Sequence, residues 1–181
     1  MEENDLPFVS VCTPTFNRRP FIENMFQCFR NQTYPKEKME WIIVDDGTDK
    51  IKDLVDKANI PQIKYFAVNE KMKLGKKRNF MHEKTSGSIL VYMDDDDYYP
   101  PSSLLGRVKT LLKYPHINCV GCNNIGVFDI FNHQSYLASD GPKYFSEASM
   151  AFRKSFWLQR PFYNKDKQGE GKFFCLIYSM N

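Results

Sequence analysis

Four short apolar runs punctuate the first half of the chain, and a helical pattern follows each of them. "FVSVCT" (8–13), "WIIVDD" (41–46), "QIKYFAV" (62–68) and "SILVYM" (88–93) are rich in β-branched and aromatic residues and too short for helices. Behind Pro20, which suits a first helical turn, Phe21, Ile22, Met25, Phe26 and Phe29 recur at helical spacing. Ile51, Leu54, Val55 and Ala58 mark a second helix, ended by Pro61. A third is expected over Arg78–Lys84, turning Phe80 and Met81 inward. Leu104, Leu105, Val108, Leu111 and Leu112 give a fourth, capped by Ser102 or Ser103. Such alternation predicts a mostly parallel sheet covered by helices.

Beyond Tyr114 the period changes. "INCVGC", "IGVFDIF" and "SYLAS" read as shorter strands, followed by "ASMAF" and a helix near Arg153–Leu158. No repeat or linker divides the chain, so the expectation is one α/β domain over residues 1–181 with a mixed C-terminal portion.

In a parallel sheet, ligands gather at the carboxyl ends of the strands. Those ends carry "PTFNRR", "DDGTD", "NEKMKLGKKR" and "DDDD". Alone, Asp94 to Asp97 read as a solvated acidic turn, although four adjacent carboxylates raise one another's pKa and call for a cation. Beside the basic run of residues 71–78, they suit a nucleoside diphosphate and its divalent metal better. Neither GxGxxG nor GxxxxGK[ST] occurs, which disfavours dinucleotide oxidoreductases and P-loop nucleotidases.

Other features narrow the field. A net charge of +3 is too mild to argue for nucleic acid. The longest apolar run, Phe173–Tyr178, is far too short to span a bilayer, and the acidic N-terminus lacks a signal peptide's layout. A cytoplasmic protein is therefore expected, with its five cysteines as thiols. Cys119 and Cys122 form a lone CxxC in an apolar stretch, read as buried thiols rather than a zinc or redox site. His82, His116 and His133 stand at no ligand spacing and receive no role.

"VSVCTPTFNR" (9–18), "WIIVDDGTD" (41–49), "LGKKRN" (74–79) and "GSILVYMDDDDYYPP" (87–101) resemble the successive signatures of family 2 glycosyltransferases, which have the Rossmann-like GT-A fold. The resemblance covers residues 8–105 and implies a UDP-sugar donor bound with Mn²⁺ or Mg²⁺, and an unspecified acceptor. It places Pro14, Thr15 and Phe16 around the base, with Phe16 standing where tyrosine is common. It gives Asp46 the uracil N–H, leaves Asp45 to brace its loop, and brings Lys73 and Arg78 to the diphosphate, with Lys76 or Lys77 solvated. Asp96 would be the metal ligand, with Asp94 or Asp95 on the ribose and Asp94 also near the metal, while Asp97 is divided between support and surface.

Residues 115–181 form the acceptor side in this scheme. "SEASMAFRKSFW" (146–157) resembles the family's acceptor-side strand and helix. "QGEGKFF" (168–174) stands where the family has Glu-Asp, but Gly171 follows Glu170. Glu147, Asp166 and Glu170 compete as catalytic base, and Glu170 is favoured by its position between glycines. The chain ends eleven residues later, earlier than such relatives, which makes this half either minimal or cut short. An inverting transferase is the leading expectation. A sugar-nucleotide-forming nucleotidyltransferase and a binding module without catalysis are the alternatives.

Overall fold

The structure, a computed structural model, describes residues 5–139 and 145–164. Strands β1 (Val9–Thr15), β2 (Met39–Asp45), β3 (Ile63–Ala67) and β4 (Ile89–Tyr92) alternate with helices α1 (Ile22–Arg30), α2 (Lys52–Ala58) and α3 (Leu74–Glu83). Helix α4 (Ser103–Lys113) follows, then β5 (Cys119–Val120), β6 (Asn124–Asp129), β7 (Gln134–Ser139), β8 (Ala151–Arg153) and α5 (Lys154–Gln159).

The main sheet has the order β3-β2-β1-β4-β8-β5. Its first four strands are parallel, and β8 runs antiparallel to both β4 and β5. The expected α/β class, with a parallel N-terminal sheet and a mixed C-terminal edge, is what the chain adopts. Of the later strands only β5 and β8 join this sheet, while β6 and β7 pair with each other as a separate hairpin.

Helices cover both faces, which is why the central strands are buried on both sides rather than alternating between buried and exposed. Val9, Val11, Trp41, Ile43 and Val91 pack against α1, α2 and α4. Cys12, Ile42, Val44, Leu90 and Tyr92 pack against Met81 of α3 and against Phe156 and Trp157 of α5. The Phe29 ring stacks on Trp41 at 4.2 Å, and Phe26 meets the same indole edge-on. At Gly87 the chain passes so close to β1 that an added Cβ would lie 2.5 Å from the Ser10 nitrogen.

Several boundaries differ from expectation for physical reasons. Phe21 lies in a 3-10 turn ahead of α1 and is exposed, so it does not share the helix's apolar face. Helix α2 stops at Asn59, whose left-handed φ of 48° ends it before Pro61. Neither Ser102 nor Ser103 caps α4 through its side chain; Gln32, at the far end of α1, accepts from the Leu104 N–H at 3.0 Å. Helix α3 begins at Leu74 rather than near Arg78, which puts Lys76 and Lys77 on the helix instead of a loop. Cys119 is only half-buried and Cys122 is exposed, contrary to the reading of buried thiols.

Asn79 ties the C-terminal elements to α3. Its Oδ1 accepts from the Trp157 indole at 2.9 Å and from the Phe162 N–H at 3.0 Å, and its Nδ2 donates to the Phe162 carbonyl at 2.7 Å. His82 sits beneath this latch among Tyr92, Phe152, Trp157 and Phe162, and donates or accepts a 2.9 Å bond with the Tyr92 hydroxyl. Burial holds its imidazole neutral, with the charges of Arg78 and Lys154 adding to the effect.

Candidate active site

Strand β1 lies between β2 and β4, so the sheet changes direction of growth at its carboxyl end. A crevice at such a switch point is the usual ligand position in open α/β sheets. Thr15 ends β1 opposite Asp45, the last residue of β2.

The two aspartates after β2 face different ways. Asp45 braces its own loop as expected: its carboxylate accepts from the Gly47 N–H (2.9 Å), the Ile51 N–H (3.1 Å) and the Tyr65 hydroxyl (2.6 Å). Asp46 reaches toward α3 instead, where it accepts from the Met72 N–H at 2.6 Å and pairs with the Lys77 ammonium. Lys77 also donates to the Thr15 carbonyl at 3.2 Å and is buried. Of the two lysines expected to be solvated, Lys76 is exposed and Lys77 is not. The Lys71 ammonium lies 4.0 Å from the Phe16 ring centroid, so Phe16 is a cation–π partner beside the same loop.

Lys73 is exposed at the start of α3. Arg78 is buried one turn further on, its guanidinium 4.1 Å from the Tyr92 ring centroid and 3.7 Å from the Asp94 carboxylate. The Asp94 N–H donates to the Tyr99 hydroxyl (2.8 Å), which donates to the Ala148 carbonyl (3.0 Å), so the acid run is anchored across to the segment before β8. Asp95 is buried and its carboxyl is pushed up to about 6, chiefly by burial. The nearby Thr15 hydroxyl opposes that rise, while the charges of Asp96 and Asp94 add to it. Asp96 and Asp97 are exposed.

The cation demanded by four aspartates comes partly from a residue that the sequence reading did not single out. Arg18 places Nη2 3.1 Å from Asp96 and Nε 3.9 Å from Asp95. Its direction is set next door. Asn17 has a left-handed φ of 55°, and its Oδ1 accepts from the Thr48 and Asp49 N–H groups at 2.8 and 2.9 Å. Gly47 permits this approach, since a Cβ there would lie 2.5 Å from Asn17 Oδ1. Arg19 points the other way, into Asp49 and Asp53 at 2.9 Å each. The only hint in the sequence was the pairing of "FNRR" after one strand with "DDDD" after another.

The donor set suits a hard cation. Carboxylates are the ligands that Mg²⁺ and Mn²⁺ prefer, and one or two of them suffice where diphosphate oxygens and water complete the shell. Among the described residues no three His, Cys, Asp or Glu side chains converge on a metal-sized position. One oxygen of Asp95 is buried without a hydrogen bond and so keeps unused acceptor capacity within the acid run. Asp94 and Asp96 on either side therefore fit such a group.

Next to Asp97 a cavity of about 720 Å³ opens between α4 and the β5–β6 segment, lined by Tyr98, Tyr99, Arg107, Cys122, Ile125 and Ser149. Arg107 is pinned there by the carbonyls of Tyr92 (2.8 Å) and Met150 (3.2 Å), and burial pushes it down to about 10. Glu147 opens the 3-10 turn before β8, with its carbonyl taken by the Met150 N–H. Glu170 and Asp166 lie outside the described residues.

Comparisons with known proteins bear on the family and the fold. Residues 10–180 match the profile of glycosyl transferase family 2. Glycosyltransferase AglE of Haloferax volcanii is 31% identical over 121 residues, 65% of this chain and 40% of its own length. A Methanococcus voltae dolichyl N-acetyl-alpha-D-glucosaminyl phosphate 3-beta-D-2,3-diacetamido-2,3-dideoxy-beta-D-glucuronosyltransferase is 30% identical over 159 residues, 84% of this chain and 48% of its own. The fold superimposes on the Pyrobaculum calidifontis mannosyltransferase PcManGT in complex with GDP-Man and Mn²⁺, with TM-score 0.74, 22% identity, and 91% and 50% of the two chains covered. Staphylococcus aureus TarS 1–349 with UDP-GlcNAc gives TM-score 0.75 and 21% identity, covering 92% and 52%. The chain thus spans about half the length, or less, of the proteins it matches.

Proposed function

Because the chain belongs to glycosyl transferase family 2, we propose that it carries the donor site of a metal-dependent, inverting glycosyltransferase that moves a sugar from a UDP-sugar to an acceptor hydroxyl. The observation that carries this reading is the meeting of Asp46–Lys77, Arg78–Asp94 and Arg18–Asp96 at one sheet edge. Residues 8–105 serve as the nucleotide-sugar half and 115–181 as the acceptor half.

In this reading Pro14, Thr15 and Phe16 frame the base, and Asp46 accepts its N–H. Lys77 links the base loop to α3, and Lys73 and Arg78 approach the diphosphate. Asp94 or Asp95 holds the ribose. Asp96, with Asp94, would hold Mn²⁺ or Mg²⁺, which supplies Lewis-acid stabilisation of charge on the departing diphosphate. Glu170 takes the acceptor's proton from the face opposite that leaving group. The buried thiols of Cys12 and Cys28 support placement in the reducing cytoplasm. Among the described residues no helix is long and apolar enough to cross a membrane.

The test is calorimetry of UDP with and without Mn²⁺, on the wild type and on Asp96→Ala, with GDP as competitor. We expect Mn²⁺ to tighten UDP binding, and the mutant to lose roughly 1.5–3 kcal/mol of that gain, the usual worth of a charge-assisted contact. Equal, metal-independent affinity in both proteins would remove Asp96 from the site. A panel of UDP-sugars assayed for Mn²⁺-dependent hydrolysis separates an enzyme from a module that only binds.

A further inference from the structure

We propose that Arg18 is a resident cation that competes with the metal ion for the acid run and releases it when a diphosphate arrives. This rests on the reading of the crevice as a metal and diphosphate site. It adds a device that makes metal binding depend on the nucleotide.

The geometry sets Arg18 apart from the buried or clamped cations at this edge. Arg78 is buried and lies over Tyr92, Lys77 is buried between Asp46 and the Thr15 carbonyl, and Arg19 is clamped by Asp49 and Asp53. Arg18 has 47% of its side chain exposed, yet its guanidinium reaches both Asp95 and Asp96. Its backbone is fixed by the Asn17 latch to Thr48 and Asp49, so the side chain alone can swing. The ring of Phe21 lies 5.6 Å away and offers the guanidinium a second surface along such a swing. Under it, the buried oxygen of Asp95 has no hydrogen bond of its own.

A guanidinium 3.1 Å from Asp96 and a divalent cation on the same carboxylate repel each other, so a metal arriving alone must first displace Arg18. A diphosphate changes the balance. Its oxygens match the planar guanidinium fork in paired hydrogen bonds, which gives Arg18 an alternative anion and frees Asp96. Metal and nucleotide then favour each other's binding, and by linkage the coupling is reciprocal.

The experiment measures Mn²⁺ binding by calorimetry, first alone and then with saturating UDP, pyrophosphate or uridine. It uses the wild type, Arg18→Ala and Arg18→Gln, with thermal midpoints to confirm folding. In the wild type we expect UDP and pyrophosphate to tighten Mn²⁺ binding, and uridine not to. In both variants Mn²⁺ alone should bind about 10-fold tighter, and the enhancement by UDP should shrink by a similar factor, within the usual range of coupling between sites. Unchanged or weaker binding of Mn²⁺ alone in either variant overturns the role of Arg18 while leaving the donor site intact. A wild type that binds no Mn²⁺ even with UDP overturns both.

Discussion

All seven residues of β2 are buried, whereas all six of β7 are exposed. The two strands differ little in length and much in company. Strand β2 has β1 and β3 on its flanks and helices on both faces, while among the described residues β7 pairs with β6 alone. Around that hairpin Phe128, Ile130, Phe131, Tyr136 and Leu137 are all exposed. The contrast teaches where precision resides. Donor-site groups project from elements held by neighbours on every side, and the later hairpin borders a cavity without fixing any of them.

The largest expected effect sharpens the division of labour between the halves. Glu170→Gln should retain Mn²⁺-dependent UDP binding and lower the rate of sugar transfer by ~10²–10⁴, the range for loss of a general base. Near-normal transfer there, with transfer lost in Glu147→Gln, would move the base to the turn before β8.

Packing differences come next. Gly87→Ala places a methyl 2.5 Å from the Ser10 nitrogen and 2.6 Å from the Val9 carbonyl carbon, both backbone atoms. Forcing β1 and β4 apart should cost about 3 kcal/mol in urea unfolding, the upper end for overpacking. A loss below about 1 kcal/mol would mean that the central strands yield as easily as the hairpin.

Asp95→Asn tests the electrostatic load in the well-packed half. The unfolded carboxyl ionises near pH 4, whereas the folded one resists until about 6. Wild-type stability should therefore fall as pH rises through that window, and the variant should not share the fall. With chelator present, the two should match below about pH 4, and the variant should be more stable by roughly 3 kcal/mol at pH 7. A difference that ignores pH would exclude this origin.

The smallest effect lies in the hairpin. Gly126 has no atom within 4 Å of an added Cβ. Gly126→Ala should shift stability by no more than ~0.5 kcal/mol, and a loss as large as that of Gly87→Ala would erase the contrast.

The same contrast governs what could be read in advance. Buried parallel strands write themselves as apolar runs, so β1, β2 and β4 were legible with their polar ends, as was the half-exposed β3 from its β-branched and aromatic residues, along with Asp45's role in bracing its loop. Helix α3 was misplaced because "KLGKKR" reads as a solvated loop. Lys77 and Arg78 are buried beside Thr15, Asp46, Tyr92 and Asp94, partners distant in sequence. The cap of α4 escaped notice for the same reason, since Gln32 lies 72 residues before Leu104. Arg18 was hidden because an arginine's target is invisible until the strand order is known. Cys119 and Cys122 looked buried because their neighbours are apolar, yet the chain there offers only the two-residue strand β5.

The strand order also imposes a schedule on synthesis. Strand β1 emerges first but occupies an interior place, bonded to β2 on one side and to β4 on the other. Its second edge stays bare until the ribosome reaches Ile89, on the order of 4–15 s later at roughly 5–20 residues/s. During that interval a nascent sheet of β1, β2 and β3 presents an unpaired apolar edge to its surroundings. Completion of β4 closes that edge and, in the same step, delivers the acid run to Arg18 and Arg78. The second edge of β1 thus closes at the moment the acid run first reaches its arginines, and the outer edge of β4 then waits for β8.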